Sequence, residues 1–170
     1  MSHNHELTHT PDWVHRHTHD PNPAPPSLDP TLALHTHIQE SIAISIDDLK
    51  QLPAISLSDC YIVSTGHGTS GPFVFTGVLL GILLEAYLDL TLAELLVQGS
   101  YVDVISADDF GARVQVTELA VGQPPIVLAY TLGGVDMTRE QGLVRLIVPS
   151  ETDDALRQVK WIERIVVYLK

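Results

Sequence analysis

From Leu32 onward the chain breaks into a succession of short apolar or alternating segments separated by turn residues, with one stretch long enough for a substantial helix. Segments of that kind read as strands. Leu32 to Ile38 and Ile42 to Ile46 alternate, or nearly alternate, apolar and polar residues. Ile55 to Ser64, Tyr101 to Ser106, Ala112 to Val116, Ile126 to Leu132, Leu143 to Val148 and Val159 to Leu169 supply further strands, and Gly133-Gly134 marks a tight turn. Ser45 with Asp48 makes a capping-box pattern that opens a short helix over Asp47 to Leu52, stopped by Pro53. Leu79 to Leu88 has helical spacing at Leu79, Ile82, Leu83 and Ala86, and Thr91 to Val97 reads as a second, short helix. Helices do not alternate regularly with strands. The fold class is therefore α+β on a mixed sheet, with short strands and few helices.

Residues 1–30 have a different composition. Six of the nine histidines lie within the first 19 residues, and Pro11, Pro21, Pro23, Pro25, Pro26 and Pro30 follow or interleave. So few apolar residues cannot offset the entropy of ordering, and this segment reads as a His/Pro-rich flexible tail ahead of a domain over 31–170. Its histidines recur as His-x-His: His3 with His5, then His15, His17 and His19. In an extended chain alternate side chains share a face, so pairs of imidazoles can reach one Zn, Ni or Cu ion. The plainer reading is a soluble, pH-responsive tail. His35 and His37 share a face of the first predicted strand and could extend such a site.

Charge narrows the function classes. Nine Lys plus Arg stand against 21 Asp plus Glu, giving a net charge of −12. That balance argues against nucleic acid or an anionic membrane as the main partner, because both demand a basic surface. The longest apolar stretch, Phe75 to Val97, is broken by Glu85, Asp89 and Glu94 and reads as a buried or amphipathic helix rather than a membrane span. The first residues show neither a basic start nor an apolar core of a secretory signal, and the single cysteine, Cys60, excludes an internal disulfide framework. A cytoplasmic location is the expectation. No nucleophile elbow, P-loop or zinc-protease spacing occurs.

Four segments, in order, carry a resemblance. They are Phe75-Thr76-Gly77-Val78-Leu79-Leu80-Gly81-Ile82-Leu83-Leu84, then Tyr101 to Phe110, then Leu128-Ala129-Tyr130-Thr131-Leu132-Gly133-Gly134. The last is Gly142-Leu143-Val144-Arg145-Leu146-Ile147-Val148-Pro149 followed by Val159-Lys160-Trp161-Ile162. Together they resemble the molybdopterin-binding domain of the sulfite oxidase-like oxidoreductases. The resemblance implies a mixed-sheet domain whose loops embrace a molybdenum pterin, with the metal carrying the redox chemistry and the protein supplying a thiolate ligand. By position, it implies that Arg145 and Lys160 contact the pterin or its phosphate, with Trp161 supporting them. Thr65, His67 and Thr69, in the glycine-rich loop Thr65 to Pro72, would face the cofactor. Such a loop also exposes backbone N–H groups and can nest an anion on its own account. His67 is either a ligand or proton donor there, or a turn residue satisfying backbone carbonyls.

Two positions depart from the family pattern. The register of the metal-binding cysteine falls near Val63 or Ser64, whereas Cys60 lies three residues upstream. In a regular strand an odd offset points Cys60 to the opposite face, and only a bulge would re-aim it. Cys60 is thus an inert thiol by one reading and a metal ligand by the other. Asp108-Asp109-Phe110 also replaces the family's Asp-Gly-Tyr turn. The expected site is a concave surface with Tyr61, Thr65, His67, Thr69, Arg145 and Lys160. The expected function is a molybdopterin-binding protein related to these oxidoreductases. The alternatives are a non-enzymatic module binding a small anion or a protein on the same fold, and a metal-binding protein acting through its His-rich tail.

Overall fold

The computed structural model describes residues 28–64, 68–149 and 157–170. In chain order these form β1 (Leu32–Thr36), β2 (Ile42–Ile44), α1 (Ile46–Lys50), β3 (Ile55–Ser64), β4 (Gly68–Leu79), α2 (Leu80–Tyr87) and α3 (Leu92–Gln98). Then follow β5 (Gly99–Ser106), β6 (Gly111–Gln115), a 3-10 turn at Val116–Leu119, β7 (Val127–Leu132), β8 (Val135–Asp136), β9 (Arg145–Ile147) and β10 (Ile162–Leu169). No helix among the described residues is long and apolar enough to cross a membrane. The tail, with His3, His5, His15, His17 and His19, lies outside the described residues, as do Thr65 and His67.

The first sheet runs β2-β1-β10-β5-β6, with β1 parallel to β10 and the other pairs antiparallel. Register aligns Leu34, Ile165, Val104 and Ala112 in one row and Thr36, Val167, Val102 and Val114 in the next. All are buried, and the hydrophobic ones belong to the main core. The second sheet runs β3-β4-β7-β8, with β9 also pairing with β7. Its Val78, Leu128, Tyr130 and Leu146 enter the same core, as do Leu80, Leu83 and Leu84 of α2 and Leu95 of α3. The alternate residues of the second sheet, Phe75, Val127, Ala129 and Ile147, form a separate small cluster with Leu57, Cys60 and Phe73 packed against it. The second sheet therefore has apolar side chains on both faces. Its outer face carries the candidate site.

Local chemistry sets several boundaries. Ser45 Oγ accepts from the Asp48 N–H at 3.1 Å and the Asp48 carboxylate accepts from the Ser45 N–H at 2.9 Å, closing the expected capping box. Ile46 therefore belongs to the helix and not to the preceding strand. Two expectations are overturned. Phe75 to Leu79 continue β4 as a strand, and the helix begins only at Leu80. The reason is pairing: Gly77 sits opposite Ala129, so close that a Cβ there would collide with the Leu128 carbonyl. Likewise, Gly68 to Pro72 do not form the expected loop but belong to β4, with Gly68, Thr69 and Ser70 pairing with Ser64, Val63 and Ile62. Long-range hairpin pairing overrides the loop-like composition of Gly68 to Pro72.

Candidate functional site

On the outer face of the second sheet, β3 is irregular on both sides of Cys60. Its register with β4 shifts between Leu57 and Cys60 and again between Cys60 and Ile62. Asp59 adopts a left-handed conformation, φ 55°, which Asp tolerates better than most side chains. These shifts break the parity that would have turned Cys60 away. The thiol is half-buried and lines a cleft of about 230 Å³ with Leu57, Ser58, Tyr61, Phe75, Ile147 and Gln158. Opposite it, Gly71 at φ 127° brings the backbone so close that a Cβ would stand 2.6 Å from the Cys60 carbonyl oxygen. Burial, and then the negative charge of Asp59, push the Cys60 thiol up, so it is protonated and unreactive unless a cation sits beside it.

Two residues along β9 from the cleft-lining Ile147, and on the same face, stands Arg145. It is 6% exposed, and its guanidinium carbon lies 5.3 Å from the centre of the Phe75 ring. Its Nε is buried without a hydrogen-bond partner, and no carboxylate among the described residues pairs with it. Burial pushes its pKa down to about 10. Lys160 stands beside it, its pKa lowered by burial and then by the Arg145 charge. The Gln158 Oε1, at the edge of the cleft, is likewise buried with no donor.

Backbone geometry brings the two cations together. The segment before β10 runs along β9, with Leu146 N donating to Val159 O at 2.9 Å and Trp161 N donating to Gly142 O at 2.9 Å. Trp161 Nε1 donates to the Arg139 carbonyl at 2.6 Å and fixes the turn over 138–142. Gly142, at φ 110°, lies against both stems. A Cβ there would come within 2.9 Å of Lys160 Cβ and 3.0 Å of Arg145 Cγ. Val159 and Leu146 point into the core, so Lys160 and Arg145 project outward.

Of the expected site residues, Arg145 and Lys160 are thus brought together, while Tyr61 and Cys60 line the neighbouring cleft. Thr69 lies in β4, opposite Val63. Phe75 and Ile147 lie in the family-like segments without being singled out as site residues, and Gln158 carried no recognisable signal, because their roles arise from strand parity and from an unmet hydrogen bond. Among the described residues no three histidine, cysteine or carboxylate side chains form a metal-holding group. The donor set here is one thiol in the cleft and two cations farther along the same sheet face, which suits a metal that arrives with its own ligands and an anionic end.

The profile of the family described as oxidoreductase molybdopterin binding domain matches residues 19–170. Among solved structures, a chain of the sulfane dehydrogenase SoxCD from Paracoccus pantotrophus superposes with a TM-score of 0.63 at 18% identity. The match covers 81% of this chain and 38% of that one. At that identity the likeness is one of fold, and it agrees with the mixed sheets and few helices described above. The chain spans well under half the length of its SoxCD counterpart. No curated protein matches it in sequence.

Proposed function

Because the chain belongs to the oxidoreductase molybdopterin-binding domain family, we propose that it holds a molybdopterin on the outer face of its second sheet. Cys60 is the thiolate ligand of the metal in this reading, and Arg145 and Lys160 hold the anionic end of the cofactor. Thr65, His67 and Thr69, which follow β3 in sequence, would complete the contacts in this reading. The observation that carries the reading is Arg145, a guanidinium 6% exposed whose Nε has no hydrogen-bond partner. A buried cation without a counter-charge is costly, and an arriving phosphate removes that cost. Gly142 supports the same reading, since a side chain there would displace the stems of both cations.

Bound there, the molybdenum centre supplies two-electron redox chemistry. The chain's own residues do the rest. Arg145 and Lys160 neutralise the anionic end by charge-assisted hydrogen bonds. Trp161, tied to the Arg139 carbonyl, keeps Lys160 beside Arg145. Gln158 Oε1 offers an acceptor to a heterocyclic N–H. Cys60 would hold the metal as a thiolate, which requires loss of its proton, so metal retention should strengthen as pH rises. The same cations suit a small phosphate-like anion without metal, which is the second reading.

The test is elemental analysis for molybdenum together with pterin fluorescence on protein from a cofactor-competent host. Stoichiometric molybdenum and pterin are expected in the native chain. Cys60→Ser should lose the metal and keep pterin, whereas Arg145→Met should lose both. Full molybdenum in Cys60→Ser would remove Cys60 as the ligand. Phosphate binding with neither metal nor pterin would leave the anion module alone.

A further inference from the structure

Among the described residues four cations stand over aromatic rings, and they are of two kinds. Lys50 lies 5.9 Å from the ring centre of Tyr130 and Arg113 3.8 Å from that of Tyr101, and each also pairs with a carboxylate, Asp136 and Asp103 respectively. Arg145 lies 5.3 Å from Phe75 and Lys160 5.8 Å from Trp161, and no carboxylate among the described residues pairs with either. The cations with a ring alone are the two that meet at Gly142. A carboxylate would hold them more firmly, but it would occupy their N–H donors and cancel the charge that an anion needs. A ring face attracts a cation and leaves both unspent.

Lys160 has most need of that support. Burial, and then the Arg145 charge, lower its pKa, and Arg145 is the charged group that acts on it. An indole face opposes both effects, because it stabilises the ammonium and not the neutral amine. The indole is itself fixed without help from the lysine. Its Nε1 donates to the Arg139 carbonyl at 2.6 Å, the Trp161 backbone N–H donates to the Gly142 carbonyl at 2.9 Å, and the Trp161 carbonyl accepts from Ala107 N at 2.9 Å. Those bonds accompany a φ of 51° at Trp161, a left-handed conformation that is uncommon and costly for a bulky residue. Glycine or asparagine would meet that backbone demand at lower cost, so the turn alone gives no reason for an indole.

We propose that this cation pair is built on ring faces in place of counter-ions, with Trp161 as its positioning residue: the indole keeps the Lys160 ammonium charged beside Arg145 and leaves its donors to the ligand. Phe75 does the corresponding work for Arg145, from a fully buried position tilted against Phe73 at 5.8 Å. The proposal rests on the reading that Arg145 and Lys160 bind an anion, and it adds which neighbours make them able to. Removing the indole should leave an anion site that fails at a lower pH, since a less supported ammonium gives up its proton sooner.

The test follows the rise in Tm that inorganic phosphate gives the full chain as pH is raised from neutral. The pH at which half of that rise is lost should fall by about half a unit in Trp161→Leu. It should stay close to the native value in Trp161→Phe, which keeps a ring face and loses the Nε1 donor. The chain's other tryptophan is Trp13, so in a Trp13→Phe background fluorinated tryptophans enter at position 161 alone. They keep the shape and the N–H donor while draining the ring face, and the half-loss pH should step down with each added fluorine. A native profile in both Trp161→Leu and the fluorinated chains would overturn the proposal and leave the anion site standing. Equal losses in Trp161→Phe and Trp161→Leu would also overturn it, by assigning the part of Trp161 to its Nε1 bond. No effect of phosphate on the native chain at any pH would overturn the anion site itself, and the proposal with it.

Discussion

Arg145 and Lys160 are two like charges packed side by side, and their energetics run opposite to those of an ordinary ion pair. Each has its pKa lowered mainly by burial, and Lys160 also by its neighbour. The charged forms therefore cost the ligand-free fold something that the unfolded chain does not bear. Replacing Arg145 by Met should raise the stability of the ligand-free protein by about 1–3 kcal/mol and remove anion binding. Urea midpoints with and without phosphate would show both. A fall in ligand-free stability would mean that the guanidinium has a partner already. The pH dependence follows in sign. Between the lowered native values and the ordinary ones the unfolded chain holds more protons than the native chain, so ligand-free stability gains from these groups as pH rises. Anion binding goes the other way, weakening as Arg145, near 10, and Lys160, lowered by burial, lose their protons. A phosphate-induced rise in Tm should thus shrink between pH 7 and pH 10.

At the scale of elements, Gly77 is the tightest joint in the second sheet, because its missing Cβ is what lets β4 meet β7 at Leu128 and Ala129. Gly77→Ala should cost about 3 kcal/mol or more, against about 1 kcal/mol for Ser45→Ala, which loses one cap of a short helix. Chemical denaturation of both variants makes the comparison, and a mild Gly77→Ala would show that the strands can part there. These two residues also mark what the sequence makes legible. The capping box is local chemistry between Ser45 and Asp48 and reads directly. The boundary at Leu79 is not local: Phe75 to Leu84 carries no polar residue but Thr76, the helix from Leu80 starts without a side-chain cap, and only pairing with β7 makes the first half a strand. Gly68 to Pro72 fail for the same reason. Cys60 shows the limit of counting by twos, since the parity rule holds only where the ladder is regular and here it shifts twice. Arg145 and Lys160 were legible through a family motif, whereas Phe75 and Gln158 become site residues only once the two sheets exist.

Across the whole molecule, charge is distributed against the candidate site. With 21 acids to nine bases, the chain repels anions at long range. Three of its nine cations are committed to carboxylates, Lys50 to Asp136, Arg113 to Asp103 and Arg157 to Glu118. Arg145 and Lys160 stand apart from this pattern on an outer face beside an apolar cleft, so local attraction must overcome the surrounding field. Such a site selects a ligand that combines charge with apolar or heterocyclic surface over a bare ion. Binding to the native state alone adds about 2.7 kcal/mol at a hundredfold excess over Kd, which for a chain of this size raises Tm by roughly 5–11 °C. Thermal scans with matched ionic strength should therefore show a pterin phosphate acting at far lower concentration than inorganic phosphate. Arg145→Met should abolish the shift from both ligands, because each needs the charge. Equal potency of the two would leave the cleft between Cys60 and Gln158 without a part in recognition, and a full shift in Arg145→Met would move the anion site elsewhere on the fold.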